Sequence, residues 1–181
     1  PGGRVERSEL DELIQHELTE MDSSASLVFE DGAVRFSQAN VDLAASGIAS
    51  PRIAVAALNP HAGDGGSLGR EEIDVIAPAV EAVRREGIDA RGPLPSDTVF
   101  VAAKRGDFDA VVSMYHDQGQ IAMKLMGFDR GVTLHGGLPV PVATCASGTA
   151  FDIVGRGIAN VEGLQAAFDL VARIAARDAA R

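Results

Sequence analysis

Short apolar runs alternate with longer stretches of helical spacing from residue 52 onwards. The runs at residues 53–57, 110–114 and 131–134 are typical of strands that are buried on both faces. Strands separated by helices predict an α/β fold with a largely parallel sheet flanked by helices. The predicted helices run from Ile73 to a stop at Gly87, over residues 119–126, and over residues 161–179.

Two of these helices carry more specific predictions. Pro78 lies inside the first and should bend it. In the last helix, helical spacing puts one set of apolar residues on the same face, namely Leu164, Phe168, Val171 and Ile174.

Residues 1–50 show a different pattern, and the clearest boundary lies near Ser50–Pro51. Asp31–Gly32 separates the apolar runs 27–30 and 33–36, which is a hairpin signal. A short helix is expected over residues 38–46, before Gly47. Another helix is predicted up to about residue 24, because five apolar residues share a helical face: Leu10, Leu13, Ile14, Leu18 and Met21. We therefore divide the chain into an N-terminal region, 1–50, of uncertain role and an α/β domain, 51–181.

Composition narrows the classes of function. The chain has 181 residues, 46% of them hydrophobic, a formal net charge of −10 and a pI of about 4.8. This acidic balance argues against a nucleic-acid partner, and no apolar stretch is long enough to span a membrane. Cys145 is the only cysteine and is expected to be a small buried residue. With no visible signal peptide, a cytoplasmic location is expected.

Two of the four histidines follow predicted strands directly. His61 and His116 should therefore point to the same edge of the sheet, where open α/β sheets bind ligands. Imidazoles are common ligands of divalent metals, and Asp64 and Asp117 stand close enough in sequence to support them. The alternative is a pair of ordinary surface or hydrogen-bonded histidines.

Other segments offer weaker signals. Pro93 and Pro95 predict an extended loop, after which Ser96 or Asp97 would cap a helix that begins near Thr98. Asp97 is alternatively a carboxylate at the same sheet edge, able to take a proton or hold a metal.

Two further candidates concern anions. Lys124 follows His116 by two helical turns and either faces the same cleft, to hold a phosphate or carboxylate, or is simply solvated. Gly148–Thr149 and the glycines of residues 155–157 offer backbone donors for an anion, although glycines also simply make turns.

Taken together, these segments resemble the 4-hydroxythreonine-4-phosphate dehydrogenase family. The resemblance covers residues 48–175. It rests on Asn-Pro-His-Ala-Gly at 59–63, Gly-Arg-Glu-Glu-Ile at 69–73, Gly-Pro-Leu-Pro-Ser-Asp-Thr at 92–98, Tyr-His-Asp-Gln-Gly at 115–119 and Gly-Thr-Ala-Phe-Asp at 148–152.

The resemblance implies an isocitrate/isopropylmalate dehydrogenase-like fold, a homodimer, and a role in pyridoxal phosphate biosynthesis. It implies oxidation and decarboxylation of a small hydroxy amino acid phosphate, with NAD and a divalent metal (zinc, magnesium or manganese) as cofactors. The implied site residues are His61 and His116 as two of three metal ligands, Asp97 as a catalytic acid group, Lys124 as a catalytic and substrate-phosphate contact, Thr133 as a substrate contact, and Gly148, Thr149 and Asp152 as cofactor-binding residues.

The sequence also departs from this family. Its usual Arg-Thr-Ser-x-Asp-His-Gly-Thr segment has Val142, Ala146 and Ser147 in place of the arginine, aspartate and histidine. The family's N-terminal half, with the third histidine ligand, has no recognised counterpart in this sequence. The leading interpretation is a metal- and NAD-dependent dehydrogenase of a phosphorylated hydroxy amino acid or related hydroxy acid, dimerising through residues 119–142 and inactive as an isolated chain. The alternative is a non-catalytic metal- or small-ligand-binding dimer module.

Overall fold

One seven-stranded sheet organises the chain. The computed structural model describes residues 15–21, 24–30, 43–44, 48–136, 138 and 140–178. Within them the strands are β1 Gln15–Met21, β2 Ser24–Glu30, β3 Ile53–Ala56, β4 Ala90–Leu94, β5 Ala110–Ser113, β6 Val132–His135 and β7 Val142–Cys145. Their order across the sheet is β4-β3-β5-β2-β1-β6-β7.

The sheet has a parallel and an antiparallel half. Strands β4, β3, β5 and β2 pair in parallel, whereas β2, β1, β6 and β7 pair antiparallel. The predicted α/β architecture with a parallel, helix-flanked sheet is confirmed. The antiparallel half was not predicted, because β7 and β1 carry no continuous apolar run.

Within the described residues, four longer α-helices flank the sheet: α1 Ala77–Arg85, α2 Ser96–Lys104, α3 His116–Gly127 and α4 Glu162–Asp178. A π-helical turn, Glu72–Ile76, leads into α1. Residues 71–85 are helical without a break, so Pro78 lies inside the helical run, as predicted, directly after the π-helical turn. Among the described residues, no helix combines the length and the apolar character needed to cross a membrane.

The core lies on both faces of the parallel half. On one face Ile53, Val55 and Val112 pack with α1, in a cluster that continues through Val132 and Leu134 of β6 to α4. On the other face Ala54 and Val111 pack with α2. Helix α4 buries Ala167, Leu170 and Ile174, while the predicted face residues Leu164 and Phe168 are exposed. Of the predicted apolar face, Ile174 is buried and Val171 half-buried, so the packed stripe runs beside Leu164 and Phe168 rather than through them.

The predictions for residues 1–50 agree less well with the structure. Residues 15–21 form strand β1 rather than a helix, because β1 gains partners on both sides and tertiary pairing overrides helical spacing. Strand β2 includes the predicted run 27–30, but its described partners are β1 and β5; Asp31–Gly32 and residues 33–36 lie outside the described residues. Of the helix expected over residues 38–46, only residues 43 and 44 are described, and they are helical. The sheet thus joins strands from both sides of Ser50–Pro51.

Candidate functional site

The carboxyl ends of three neighbouring strands are tied together by hydrogen bonds. The N–H of Ala57, just after β3, donates to the carbonyl of Leu94 at the end of β4 over 2.7 Å. Gln118 of α3 donates from Nε2 to the Ala57 carbonyl and accepts at Oε1 from the Met114 N–H, each over 2.9 Å. The loops that carry His61 and His116 therefore start from fixed points on adjacent parallel strands.

His61 begins a left-handed turn in the loop after β3. Residues 61–65 all have positive φ and left-handed helical dihedral angles, including the non-glycine residues His61, Ala62 and Asp64 at φ 53°, 54° and 44°. Left-handed helical backbone costs roughly 1–2 kcal/mol per non-glycine residue. The turn is strained, and strain of this kind persists only where surrounding contacts hold it.

Two glutamates at the end of the loop bind Asn59, the residue at the N-cap of this turn. The Asn59 N–H donates to Oε1 of Glu72 over 2.7 Å, and the Asn59 side-chain amide donates to Oε2 of Glu72 over 2.9 Å and to Oε2 of Glu71 over 2.6 Å. Glu72 is only 3% exposed. Burial opposes ionisation of its carboxyl, but the hydrogen bonds from Asn59 and from neighbouring backbone outweigh burial and hold the pKa of Glu72 below its usual value.

His116 is the first residue of α3, directly after the extended Tyr115. Its side chain is half-buried and its Nδ1 atom is shielded from solvent, whereas His61 is exposed. The expected position after two strands is thus confirmed for both histidines, on strands that pair directly. That both point at one ion remains a prediction.

A groove of about 430 Å³ lies between α2 and α3 beside these strand ends. Its polar end carries Ser96, Asp97, Tyr115, Asp117 and Gln118, with Lys104 further along α2. Apolar residues line the rest: Phe100, Val101, Ile121, Ala122, Leu125 and Met126. The structure thus brings Asp97 and Asp117 to one groove.

The segment before Asp97 differs from its prediction. Residues 90–94 form strand β4 rather than a loop, and α2 begins at Ser96 with Pro95 at the N-cap and no side-chain cap. The predicted cap by Ser96 or Asp97 was wrong because both residues are already helical. The Thr98 hydroxyl donates instead to the Pro95 carbonyl over 3.2 Å.

The described residues offer only some of the side chains that a metal site needs. Imidazole ligands suit zinc, and carboxylate ligands suit magnesium or manganese. Across the described residues, however, no group of three or more His, Cys, Asp or Glu side chains is arranged to hold an ion. An ion held by His61 and His116 would therefore need ligands from another group as well.

The remaining predicted site residues lie elsewhere. Lys124 is exposed on α3 and does not line the groove. Thr133 is buried in β6, paired with Thr19 of β1 and Thr144 of β7. Their roles remain predictions.

Gly148, Thr149 and Asp152 are exposed in the segment after β7. Strand β7 runs opposite to β3 and β5, so it ends at the other edge of the sheet, beside Gly131, whose carbonyl accepts from the Ala146 N–H. The structure therefore does not bring these three residues to the histidine edge within one chain. Cys145 is half-buried rather than buried, with Sγ 3.0 Å from the Ser147 hydroxyl.

Three residues that organise the site had no assigned role in the sequence analysis: Asn59, Glu72 and Gln118. Glu72 carries a recognisable signal, because it shares a helical face with the buried residues Ile76, Val80 and Val83. A carboxylate on a buried stripe needs hydrogen-bond donors, and it marks a structured polar contact. Its partner Asn59, 13 residues away, leaves no such signal.

Comparison with known proteins agrees with these motifs. A family model described as pyridoxal phosphate biosynthetic protein PdxA matches residues 28–171. The 4-hydroxythreonine-4-phosphate dehydrogenase of Beijerinckia indica is 57% identical over 130 residues, which are 72% of this chain and 39% of that protein. The chain thus spans about two-fifths of the length of such relatives.

Solved structures give the same result. The 4-hydroxythreonine-4-phosphate dehydrogenase of Klebsiella pneumoniae aligns with a TM-score of 0.72 and 36% identity, covering 93% of this chain and 56% of that one. A terephthalate 1,2-cis-dihydrodiol dehydrogenase from Burkholderia xenovorans aligns with a TM-score of 0.66 and 29% identity, covering 92% of this chain and 59% of that one. On the family model, the shared motifs and the common fold, this chain belongs to the PdxA family of pyridoxal phosphate biosynthetic proteins.

Proposed function

We propose that this chain forms the metal-binding wall of an NAD-dependent dehydrogenase that oxidises and decarboxylates a phosphorylated hydroxy amino acid or a related hydroxy acid. The observation that carries the proposal is the placement of His61 and His116 at the ends of two directly paired parallel strands, with Gln118 joining the strand ends. Relatives named as 4-hydroxythreonine-4-phosphate dehydrogenases support the reaction class. The neighbour named for a dihydrodiol substrate supports keeping the substrate class broader.

The proposed chemistry divides between bound groups and the chain. When bound, a divalent cation would supply a lower pKa for a substrate hydroxyl, and a nicotinamide would supply the hydride acceptor. In our proposal His61 and His116 supply imidazole ligands, with Asp117 as a supporting carboxylate. Asp97, at the polar end of the groove, takes the hydroxyl proton. Lys124 holds the substrate's anionic group as a point charge.

Two parts of the proposal need groups from outside the described site. Gly148, Thr149 and Asp152 are kept as nicotinamide contacts, but they follow the strand that ends at the opposite sheet edge. A further metal ligand is also required. A second copy of the chain would supply new neighbours to both regions, and the exposed apolar residues of the segment 119–142 favour dimerisation there: Ile121, Leu125, Phe128, Leu138 and Val140.

A second candidate function is a metal- or small-ligand-binding dimer module without catalysis. Specific positions favour it: Val142, Ala146 and Ser147 provide no cation, carboxylate or imidazole where the family resemblance leads one to expect them. Such a module would keep the histidines and lose the groups that hold the substrate.

The test separates metal binding from turnover. The chain is titrated with Zn²⁺ and Mn²⁺ by calorimetry, as wild type and as His61→Ala, His116→Ala and the control His135→Ala. The first two variants should lose binding and the control should keep it. NADH formation is then followed with 4-phosphohydroxythreonine and with other hydroxy acids. NADH formation on any of these substrates would contradict the non-catalytic module, whereas metal binding without NADH formation is expected of the isolated chain under both candidates. Equal metal affinity in all four proteins would refute the metal site.

A further inference from the structure

The Asn59 side chain lies between two carboxylates at the base of the left-handed turn that begins at His61. We infer that Glu72 is a positioning residue for His61: acting through Asn59, it holds residues 61–65 in the left-handed turn and so sets the direction in which the imidazole points. The purpose of that positioning rests on the proposed function. The mechanism itself rests on contacts within this chain.

Glu72 accepts hydrogen bonds from two different groups of Asn59. One carboxylate oxygen accepts from the Asn59 backbone N–H over 2.7 Å, and the other accepts from the Asn59 side-chain amide over 2.9 Å. A carboxylate that binds both the backbone and the side chain of one residue fixes its orientation as well as its position. Asn59 stands two residues before His61, at the N-cap of the turn, so its orientation sets how the chain enters the turn.

The turn also packs directly on this carboxylate. A Cβ at Gly63, the third residue of the turn, would lie 2.7 Å from Oε2 of Glu72 and 2.9 Å from the Gly69 carbonyl. At the other end of the loop, a Cβ at Gly69 would overlap the side-chain nitrogen of Asn59 and the Glu71 carboxylate. The loop therefore closes around Asn59, with the Glu72 carboxylate beneath Gly63.

Because the turn is strained, loss of the contact between Glu72 and Asn59 should change the conformation of the turn. His61, Ala62 and Asp64 occupy left-handed backbone that L-residues avoid, so the turn relaxes when its anchor is removed. Two backbone hydrogen bonds report on it: the Ser67 N–H donates to the Asp64 carbonyl over 3.2 Å, and the Leu68 N–H donates to the Gly63 carbonyl over 3.1 Å.

The first measurement is hydrogen exchange of the metal-free chain. In Glu72→Gln an amide N–H faces the Asn59 amide, so a charge-assisted hydrogen bond is lost and exchange at Ser67 and Leu68 should be faster by about tenfold or more. Amides of β3 and β5 should exchange as in wild type. The control Glu81→Gln makes the same change at an exposed position of α1 and should leave both loop amides unchanged. Unchanged exchange in Glu72→Gln would overturn the inference.

A second variant guards against loss of folding. Gly69→Ala displaces the Asn59 amide without removing a carboxylate, and it should give the same fast exchange at Leu68. In histidine-labelled protein, both variants should shift or broaden the ring resonances of His61 and leave those of His135 in place. If Glu72→Gln does not fold, Gly69→Ala decides. Loss of protection with an unchanged His61 ring spectrum would contradict a positioning role.

Titration with Co²⁺ separates this inference from the proposed function. Glu72→Gln should weaken Co²⁺ binding by about tenfold relative to wild type and to Glu81→Gln. If wild type binds cobalt and Glu72→Gln binds it equally well, Glu72 does not position His61. If wild type binds no cobalt, the proposed metal site fails, and the exchange and ring spectra alone decide whether Glu72 holds the turn.

Discussion

The side-chain amide of Gln118 donates a 2.9 Å hydrogen bond to the carbonyl oxygen of Ala57, a residue 61 positions earlier in the chain. The same side chain accepts the N–H of Met114. One residue of α3 therefore bridges the ends of β3 and β5, the strands that lead to His61 and His116. The separation of the two histidine loops depends on this bridge as well as on the sheet.

Replacing Gln118 by Met, which keeps the length of the side chain, should remove both hydrogen bonds and destabilise the fold by about 1–3 kcal/mol. The cause is the loss of partners for the Ala57 carbonyl and the Met114 N–H, both in the buried strand ends. Urea unfolding measures the change. The control Gln165→Met removes an exposed hydrogen bond to Asp169 and should cost under about 0.5 kcal/mol. Equal stabilities of the two variants would show that the bridge contributes nothing.

The parts of the fold that sequence could predict are those whose local pattern agrees with their tertiary setting. The apolar runs of β3 and β5 are buried on both faces, and they have the composition that such strands require. Strand β1 is the opposite case. Its helical spacing is overruled by pairing to β2 and β6, and the partner β6 lies more than a hundred residues away. Only non-local contacts determine such a strand.

The site was predictable to a similar degree. His61 and His116 follow strands, so topology alone places them at one edge. The groove that joins Asp97 to Asp117 depends on how α2 packs beside α3, which no spacing encodes. The family resemblance also implied Gly148, Thr149 and Asp152, but they follow a strand whose direction is reversed by the antiparallel half of the sheet. The direction of β7 can be inferred only when the order and pairing of the strands are known.

Gly92 of β4 lies against the backbone of Val55 in the neighbouring strand β3. A Cβ there would lie 2.5 Å from the Val55 carbonyl oxygen and 2.8 Å from its Cβ. Gly92→Ala should therefore destabilise the fold by about 1–3 kcal/mol through overpacking, in addition to its backbone strain at φ +157°. The control Gly106→Ala, with φ +84° and open space around its Cβ, should cost only about 1 kcal/mol. Thermal unfolding compares them, and a smaller loss for Gly92→Ala would contradict the packing argument.

Ionisation of the Asp109 carboxyl makes the stability of the fold depend on pH. Its carboxylate accepts hydrogen bonds from the Arg52 side chain over 2.9 and 2.7 Å and from the Arg52 backbone N–H over 2.8 Å. The side-chain hydrogen bond from Arg52 is the main cause that lowers the pKa of Asp109 below its ordinary 3.8, against the opposing effect of burial. The folded chain therefore holds this proton less tightly than the unfolded chain does.

Because the folded pKa of Asp109 is depressed, its contribution to stability is fully present above the unfolded pKa and disappears as the pH falls through the folded pKa. Asp109→Asn should thus be less stable than wild type at pH 7, and the gap should narrow below pH 3.8. Urea unfolding at several pH values measures the gap. Arg52 and Asp109 lie at the start of β3 and β5, so metal affinity should not change. A gap that stays constant down to strong acid would show that the ion pair does not titrate as argued.

The proposed dimer is tested through Leu125, which is 83% exposed on α3. Burying such a side chain on association contributes about 1.5–3 kcal/mol, and two copies bury it twice. Each copy has a net charge of −10, so the copies repel and apolar contact must supply the attraction. Leu125→Glu adds a further negative charge to each copy at that contact. Sedimentation at micromolar concentration should show a dimer for wild type and a monomer for Leu125→Glu.

The matched control is Phe168→Glu, which puts the same charge at an apolar side chain of α4 that is 67% exposed and lies outside residues 119–142. The control should remain dimeric. A monomeric wild type would refute the dimer, and a dimer broken by Phe168→Glu but not by Leu125→Glu would move the interface to α4.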